Sequence, residues 1–111
     1  MKKIVLLVLI AIFVLTGCQN SEEDKALRVG MELKYPPFET KDETGKPAGA
    51  SVMLAEALGA YLGRNIEIVE TDYASLIPAL EQGTIDLIIS SMTITPAREE
   101  VVDFSDPYTN S

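Results

Sequence analysis

Three short apolar segments, separated by two stretches of helical periodicity, constrain the fold of this chain more than any other feature. The segments are Leu27–Met31, Ile66–Val69 and Ile85–Ile89, the last interrupted only by Asp86. Between the first two, Val52, Ala55, Leu58 and Leu62 recur at helical spacing, with Ser51 placed to cap the start and Gly63 to stop the end. Between the second and third, a helix is expected from about Ala74 to Gln82, ended by Gly83. Pro78 sits early in it, where its N–H has no helical partner to lose. The order strand, helix, strand, helix, strand predicts an α/β domain, a parallel sheet with helices on both faces and right-handed crossovers. Such sheets bind ligands beyond the carboxyl ends of their strands, where the winding reverses.

Two of these strand ends lead into unusual sequence. The first leads to Glu32-Leu33-Lys34-Tyr35-Pro36-Pro37-Phe38, a loop stiffened by two prolines and carrying two aromatic rings. After it, Asp42 and Gly45 give Thr40–Lys46 the chemistry of a chain reversal. The third leads to Ser90-Ser91-Met92-Thr93-Ile94-Thr95-Pro96-Ala97-Arg98: small hydroxyl residues, a helix start, then one guanidinium. Small residues let a ligand approach the backbone. A helix start offers free N–H groups and the positive end of its dipole. Arginine in the first turn offers a planar fork that fits a carboxylate. Together they describe a seat for a small anion, most simply an α-carboxylate. Alone, Arg98 reads as a solvated helix residue and Tyr35 and Tyr73 as half-buried core. Phe38 and Phe104 are assigned to the core, and Glu99 and Glu100 to the first turn of the last helix.

Composition narrows the chemistry. The 111 residues include 17 acidic and 9 basic side chains, no His, no Trp and one Cys. One domain is the expectation at this length. The acidic balance argues against nucleic acid as a partner, because phosphate neutralisation needs clustered Lys and Arg. Without His there is no Ser-His-Asp or Cys-His pair, and a single Cys cannot furnish a soft-metal site or an internal disulfide. Asp103 and Asp106 are candidates for a hard cation, but a calcium loop needs more oxygen ligands at regular spacing. No metal and no cofactor is expected.

The amino terminus is an address. Lys2 and Lys3 precede a continuous apolar run, Ile4 to Leu15. That run is shorter than the roughly 20 residues of a bilayer span and fits the apolar region of a secretory signal. Leu15-Thr16-Gly17-Cys18 follows and resembles the bacterial lipobox, which implies cleavage before Cys18 and a lipid on its sulfur. Loss of Lys2 and Lys3 leaves 7 basic residues against 17 acidic, a net charge near −10. Gln19 to Lys25 is wholly polar and reads as a tether. The division expected is a signal peptide over 1–17, a lipidated Cys and tether over 18–26, and a partial binding lobe over 27–111.

The segments Leu27–Gly30, Tyr35–Phe38, Leu76–Leu80, Ile85–Ile88, Met92–Arg98 and Val102–Tyr108 stand in the order seen in polar amino-acid-binding proteins. These are the extracytoplasmic solute-binding subunits of ABC importers, and the resemblance covers essentially all of the chain after the tether. It implies the first lobe of a periplasmic-binding-protein-like fold and capture of an amino acid for delivery to a membrane permease. Residue by residue, it makes Arg98 the clamp on the ligand α-carboxylate. Thr93 gives that carboxylate a hydroxyl or backbone N–H. Ser90 and Ser91 meet the ammonium and carboxylate, Tyr35 and Tyr73 wall the ligand side chain, and Glu32 stands near its distal end. Glu32 favours a cationic or amide side chain by charge pairing.

The chain departs from that family in two ways. After Gly49 the family usually has an aromatic residue, an acid and a second acid two residues on, where this chain has Ala50-Ser51-Val52-Met53. The family also has two lobes closing on the ligand, and the resemblance implies that the second lobe, with its acidic partner for the ammonium, lies outside these residues. Two other readings compete with capture and delivery. One is a truncated, non-functional product with an open sheet edge. The other is a sensor or dehydratase relative of the same fold, for which no general base stands on a recognisable motif.

Overall fold

The computed structural model describes residues 25–110. The expected signal peptide, the lipobox with Cys18 and most of the tether therefore lie outside the described residues. Strand β1, Leu27–Met31, is the centre of the fold. It lies parallel to β4, Ile66–Glu70, from the pair Leu27 and Ile66 to the pair Met31 and Glu70. On its other side it lies parallel to β5, Leu87–Ile88, through Val29 with Leu87 and Gly30 with Ile88. The sheet order is thus β4-β1-β5. The chain winds from β1 to one side and then crosses to the other, so the reversal falls between β1 and β5.

Between β1 and β4 run a small hairpin and a long helix. The hairpin pairs β2, Thr40–Lys41, with β3, Pro47–Ala48, antiparallel. Its reversal is the one the sequence predicts. Asp42 Oδ1 accepts from the Thr44 and Lys46 backbone N–H groups at 2.8 and 3.0 Å and from the Thr44 hydroxyl at 2.6 Å. Those bonds hold the Asp42 carboxyl below its ordinary range. Helix α1, Ala50–Leu62, follows and ends on Gly63 in the left-handed conformation. After β4, a 3₁₀ turn at Tyr73–Ser75 leads into α2, Leu76–Gln82, which ends on left-handed Gly83.

The two helices take opposite faces of the sheet. Val52 and Ala55 of α1 pack with Leu27, Val29, Met31, Leu33 and Ile89, and half-buried Leu58, Ile66, Ile68 and Leu87 border that core. On the other face Leu76 and Ile85 press on Gly30, where an added Cβ would meet Ile85 Cδ1 at 2.5 Å and Leu76 Cδ2 at 3.0 Å. Gly30 thus leaves room for both side chains close against the sheet. Gly59 does the same for α1, since a Cβ there would meet Ile66 Cγ2 at 2.5 Å and the Arg64 carbonyl oxygen at 2.8 Å.

Four sequence expectations are corrected here. Ser51 does not cap α1: Gly49 is the N-cap residue, with no side-chain capping bond, and Ser51 lies inside the helix with its hydroxyl turned to Glu39. Leu62 is exposed rather than part of the helix core. The third strand is shorter than Ile85–Ile89. The Asp86 backbone N–H still donates to the Arg28 carbonyl at 2.8 Å, but the Arg28 N–H is taken out of the ladder by the side chain of Asp86. Its carboxylate accepts from the Arg28 backbone N–H at 2.8 Å and from Nε and Nη2 at 3.2 and 3.0 Å. The ladder resumes with Ile89 N–H donating to the Gly30 carbonyl at 3.2 Å. Phe38 and Phe104 are half-buried and face the cleft rather than the core.

Candidate functional site

The winding reversal brings the loop after β1 against the loop after β5. Glu32 N–H donates to the Ser90 hydroxyl oxygen at 3.0 Å, which joins the two loops at their roots. Beyond that bond opens a cleft of about 730 Å³. Of the residues proposed from sequence, Glu32, Tyr35, Tyr73, Ser90, Ser91 and Thr93 all line it. Tyr35 is exposed and stacks on Phe38, the ring centroids 5.5 Å apart and the planes 14° from parallel. The loop from Phe104 to Asn110 forms the far rim.

Arg98 is placed by its own loop. Helix α3, Pro96–Glu99, is a single turn, with Thr95 as N-cap accepting from Arg98 N–H at 3.2 Å. So short a helix has little dipole to offer, and the first-turn N–H groups of Arg98 and Glu99 are taken by Thr95. The expected anion seat would therefore have to rest on side chains and loop backbone, not on a helix start. The Arg98 guanidinium lies 5.6 Å from the centroid of the Tyr73 ring, and its Nη1 donates to the Thr93 carbonyl at 2.7 Å. These contacts fix the side chain along the Ser90–Thr95 loop. Its remaining donors make no hydrogen bond among the described residues, and a planar fork of this kind fits a carboxylate. Arg98 does not itself line the cleft; it stands behind Thr93 and Tyr73, which do.

Sequence reasoning missed Glu39. It is 1% exposed yet lines the cleft. One oxygen, Oε2, accepts from the Ser51 hydroxyl at 2.6 Å and from the Ser91 hydroxyl at 2.9 Å. Its backbone exchanges hydrogen bonds with Tyr35, at 2.8 and 3.0 Å. Glu39 thus ties the hairpin, the first turn of α1 and the β5 loop to one carboxylate. Only its place directly after Tyr35–Phe38 hinted at a role. Tyr108 on the rim is 62% exposed, and partial desolvation of its phenol, then the charge of Glu39, pushes its pKa above the ordinary value.

The cleft is electrically one-sided. Glu32, Glu39 and Asp106 line it and no Lys or Arg does. Its backbone is strained in both loops, with Leu33 at φ 60° and Ser91 at φ 51°, a region that residues with a Cβ rarely adopt. Among the described residues no group of three or more carboxylate or sulfur ligands gathers to hold a metal ion. The arrangement offers a planar cation beside an aromatic ring to an anion, and carboxylates to a cation.

The chain resembles known proteins along its length. Residues 27–111 match the family described as bacterial extracellular solute-binding proteins, family 3. Residues 1–19 match the prokaryotic membrane lipoprotein lipid attachment site. The L-arginine-binding protein of Pseudomonas aeruginosa is 41% identical over 111 residues, covering 100% of this chain and 42% of the relative. The arginine-binding extracellular protein ArtP of Bacillus subtilis is 43% identical over 115 residues, covering 97% of this chain and 45% of the relative. The chain thus spans less than half the length of these two relatives. Among solved structures, the arginine-bound form of domain 1 from TmArgBP superposes with a TM-score of 0.73 at 47% identity, over 75% of this chain and 66% of that one. An ancestral arginine-binding protein bound to arginine gives a TM-score of 0.74 at 49% identity, over 76% of this chain and 37% of that one.

Proposed function

The chain belongs to the bacterial extracellular solute-binding proteins, family 3, and from that premise we propose that it captures a cationic amino acid, arginine foremost, for delivery to the permease of an ABC importer. Its place is extracytoplasmic and membrane-anchored, in keeping with the lipid attachment site over residues 1–19. We assign the lipid to Cys18, the tether to 18–26 and the binding lobe to 27–111. The observation that carries the choice of ligand is the cleft lining, three carboxylates and no cationic residue beside the half-free fork of Arg98. That pairing of charges fits an α-carboxylate at one end of the ligand and a positive side chain toward Glu32.

Arg98 cannot supply the affinity alone. A hydrogen bond to a charged group contributes about 1.5–3 kcal/mol net, and micromolar binding needs about 8 kcal/mol. Burial of the ligand side chain against Tyr35, Phe38 and Tyr73 must supply much of the rest. Domain 1 from TmArgBP has an arginine-bound form, which supports a single lobe of this kind holding arginine. A binding rather than catalytic role is supported by the relatives, which are named as binding proteins.

Isothermal titration of the protein, expressed with its own leader and purified in mild detergent, tests the reading. L-Arginine or another cationic amino acid is expected to bind, and L-glutamate to give no heat. A preference for glutamate, or no heat from any cationic amino acid, refutes it.

A further inference from the structure

We propose that Glu39 and Ser91 form an acceptor for a cationic group of the ligand, so that this lobe carries its own counter-charge as well as a carboxylate clamp. The inference rests on the proposed capture of a cationic amino acid and deepens it. Glu39 is 1% exposed, and none of the ion pairs among the described residues involves it. Buried carboxylates are normally paired with a cation, because hydroxyl groups replace only part of the lost hydration. Here two serine hydroxyls are the only side-chain donors to it among the described residues, and the residue faces the cleft. A cation entering that cleft meets a carboxylate already stripped of most of its water.

The direction of the hydroxyl bonds adds an independent argument. Ser91 gives its proton to Glu39 Oε2, which leaves its oxygen only lone pairs to offer. It can accept from an ammonium or guanidinium N–H but cannot donate to a carboxylate. Ser90 is the reverse: its oxygen accepts from Glu32 N–H, and its own proton remains available to a carboxylate oxygen. Two adjacent serines therefore have opposite polarity. Ser91 holds that orientation in the left-handed region, φ 51°, where the bond to Glu39 pins it.

Glu39→Gln tests this, since the amide keeps an oxygen for both serines and removes the charge. Wild type and variant are titrated with L-arginine, with Nα-acetyl-L-arginine, which lacks the α-ammonium, and with L-citrulline, which lacks the guanidinium. The thermal midpoint of the unliganded protein is followed in parallel. Arginine affinity is expected to fall roughly tenfold to one-hundredfold in the variant, while the unliganded midpoint stays level or rises. A merely structural Glu39 would lower both together, and that result overturns the proposal. The analogue that binds wild type and variant alike identifies the cationic group that Glu39 meets. Arginine affinity within threefold of wild type also overturns it. Methylguanidinium and methylammonium separate this proposal from the broader one. If either stabilises wild type more than equimolar sodium chloride does and E39Q no more than salt, the subsite stands even where no amino acid binds. If no amino acid binds and that stabilisation is missing, both proposals fall.

Discussion

Replacing Gly49 by alanine should damage the fold and the site together. Gly49 precedes α1 at φ 108° and ψ 179°, a conformation essentially reserved for glycine. Holding a residue with a Cβ there costs about 1–3 kcal/mol. The added Cβ would also collide with the Phe38 carbonyl oxygen and approach the Pro37 carbonyl oxygen at 2.7 Å. These are backbone atoms and cannot rotate away. Both carbonyls are engaged, Pro37 with Ala50 N–H at 3.2 Å and Phe38 with Ser51 N–H at 2.7 Å. Overpacking of this kind costs about 1–3 kcal/mol more. The sum, about 2–6 kcal/mol, is a large part of the 5–15 kcal/mol typical of a whole domain. Gly63 is the control. It is also left-handed, at φ 66°, but a Cβ there meets nothing within 4 Å, so its cost is the conformational part alone, about 1–2 kcal/mol. Urea denaturation followed by circular dichroism should show G49A lower in midpoint than G63A, with similar slopes. Equal destabilisation of the two variants would refute the collision argument.

Arg98→Ala should weaken arginine binding about tenfold to one-hundredfold by titration calorimetry while leaving the thermal midpoint nearly unchanged, since the side chain contributes one bond and one ring contact to the fold. Arg98→Lys should recover only part of the affinity, because an ammonium lacks the planar fork. Asp86 should add acid sensitivity. The hydrogen bonds from the Arg28 side chain, then from its backbone N–H, hold its carboxyl below the ordinary range. A depressed carboxyl contributes stability above its unfolded value, near 3.9, and loses it as pH falls through the folded value. Asp86→Asn should therefore be less stable at neutral pH and show a flatter decline in melting temperature below about pH 4. The effect is small, since both side chains of the pair are about one-third exposed. A decline parallel to that of wild type would remove Asp86 from the account.

Periodicity reports which face of an element is buried, and that much of the chain was readable. The three parallel strands, the glycine stops at Gly63 and Gly83 and the chain reversal after Thr40 all follow from local pattern. So did the meeting of two loops, because sheet order and strand direction together decide where a crevice opens. Two of the errors, at Asp86 and Ser51, fall where a residue answers to a distant partner. The Asp86 side chain takes the N–H of Arg28, 58 residues away, out of the ladder. Ser51 gives up a capping role for Glu39, 12 residues back, and Ser91 reaches the same carboxylate across 52 residues. A buried acid held by such bonds leaves no periodic trace in sequence. The hydroxyls that looked like a generic lining for a carboxylate therefore divide by partner: the Ser91 proton is committed to Glu39, and the Ser90 oxygen to Glu32 N–H. In the proposed site, that division would give the ligand a direction, with Ser90 left to donate and Ser91 left to accept.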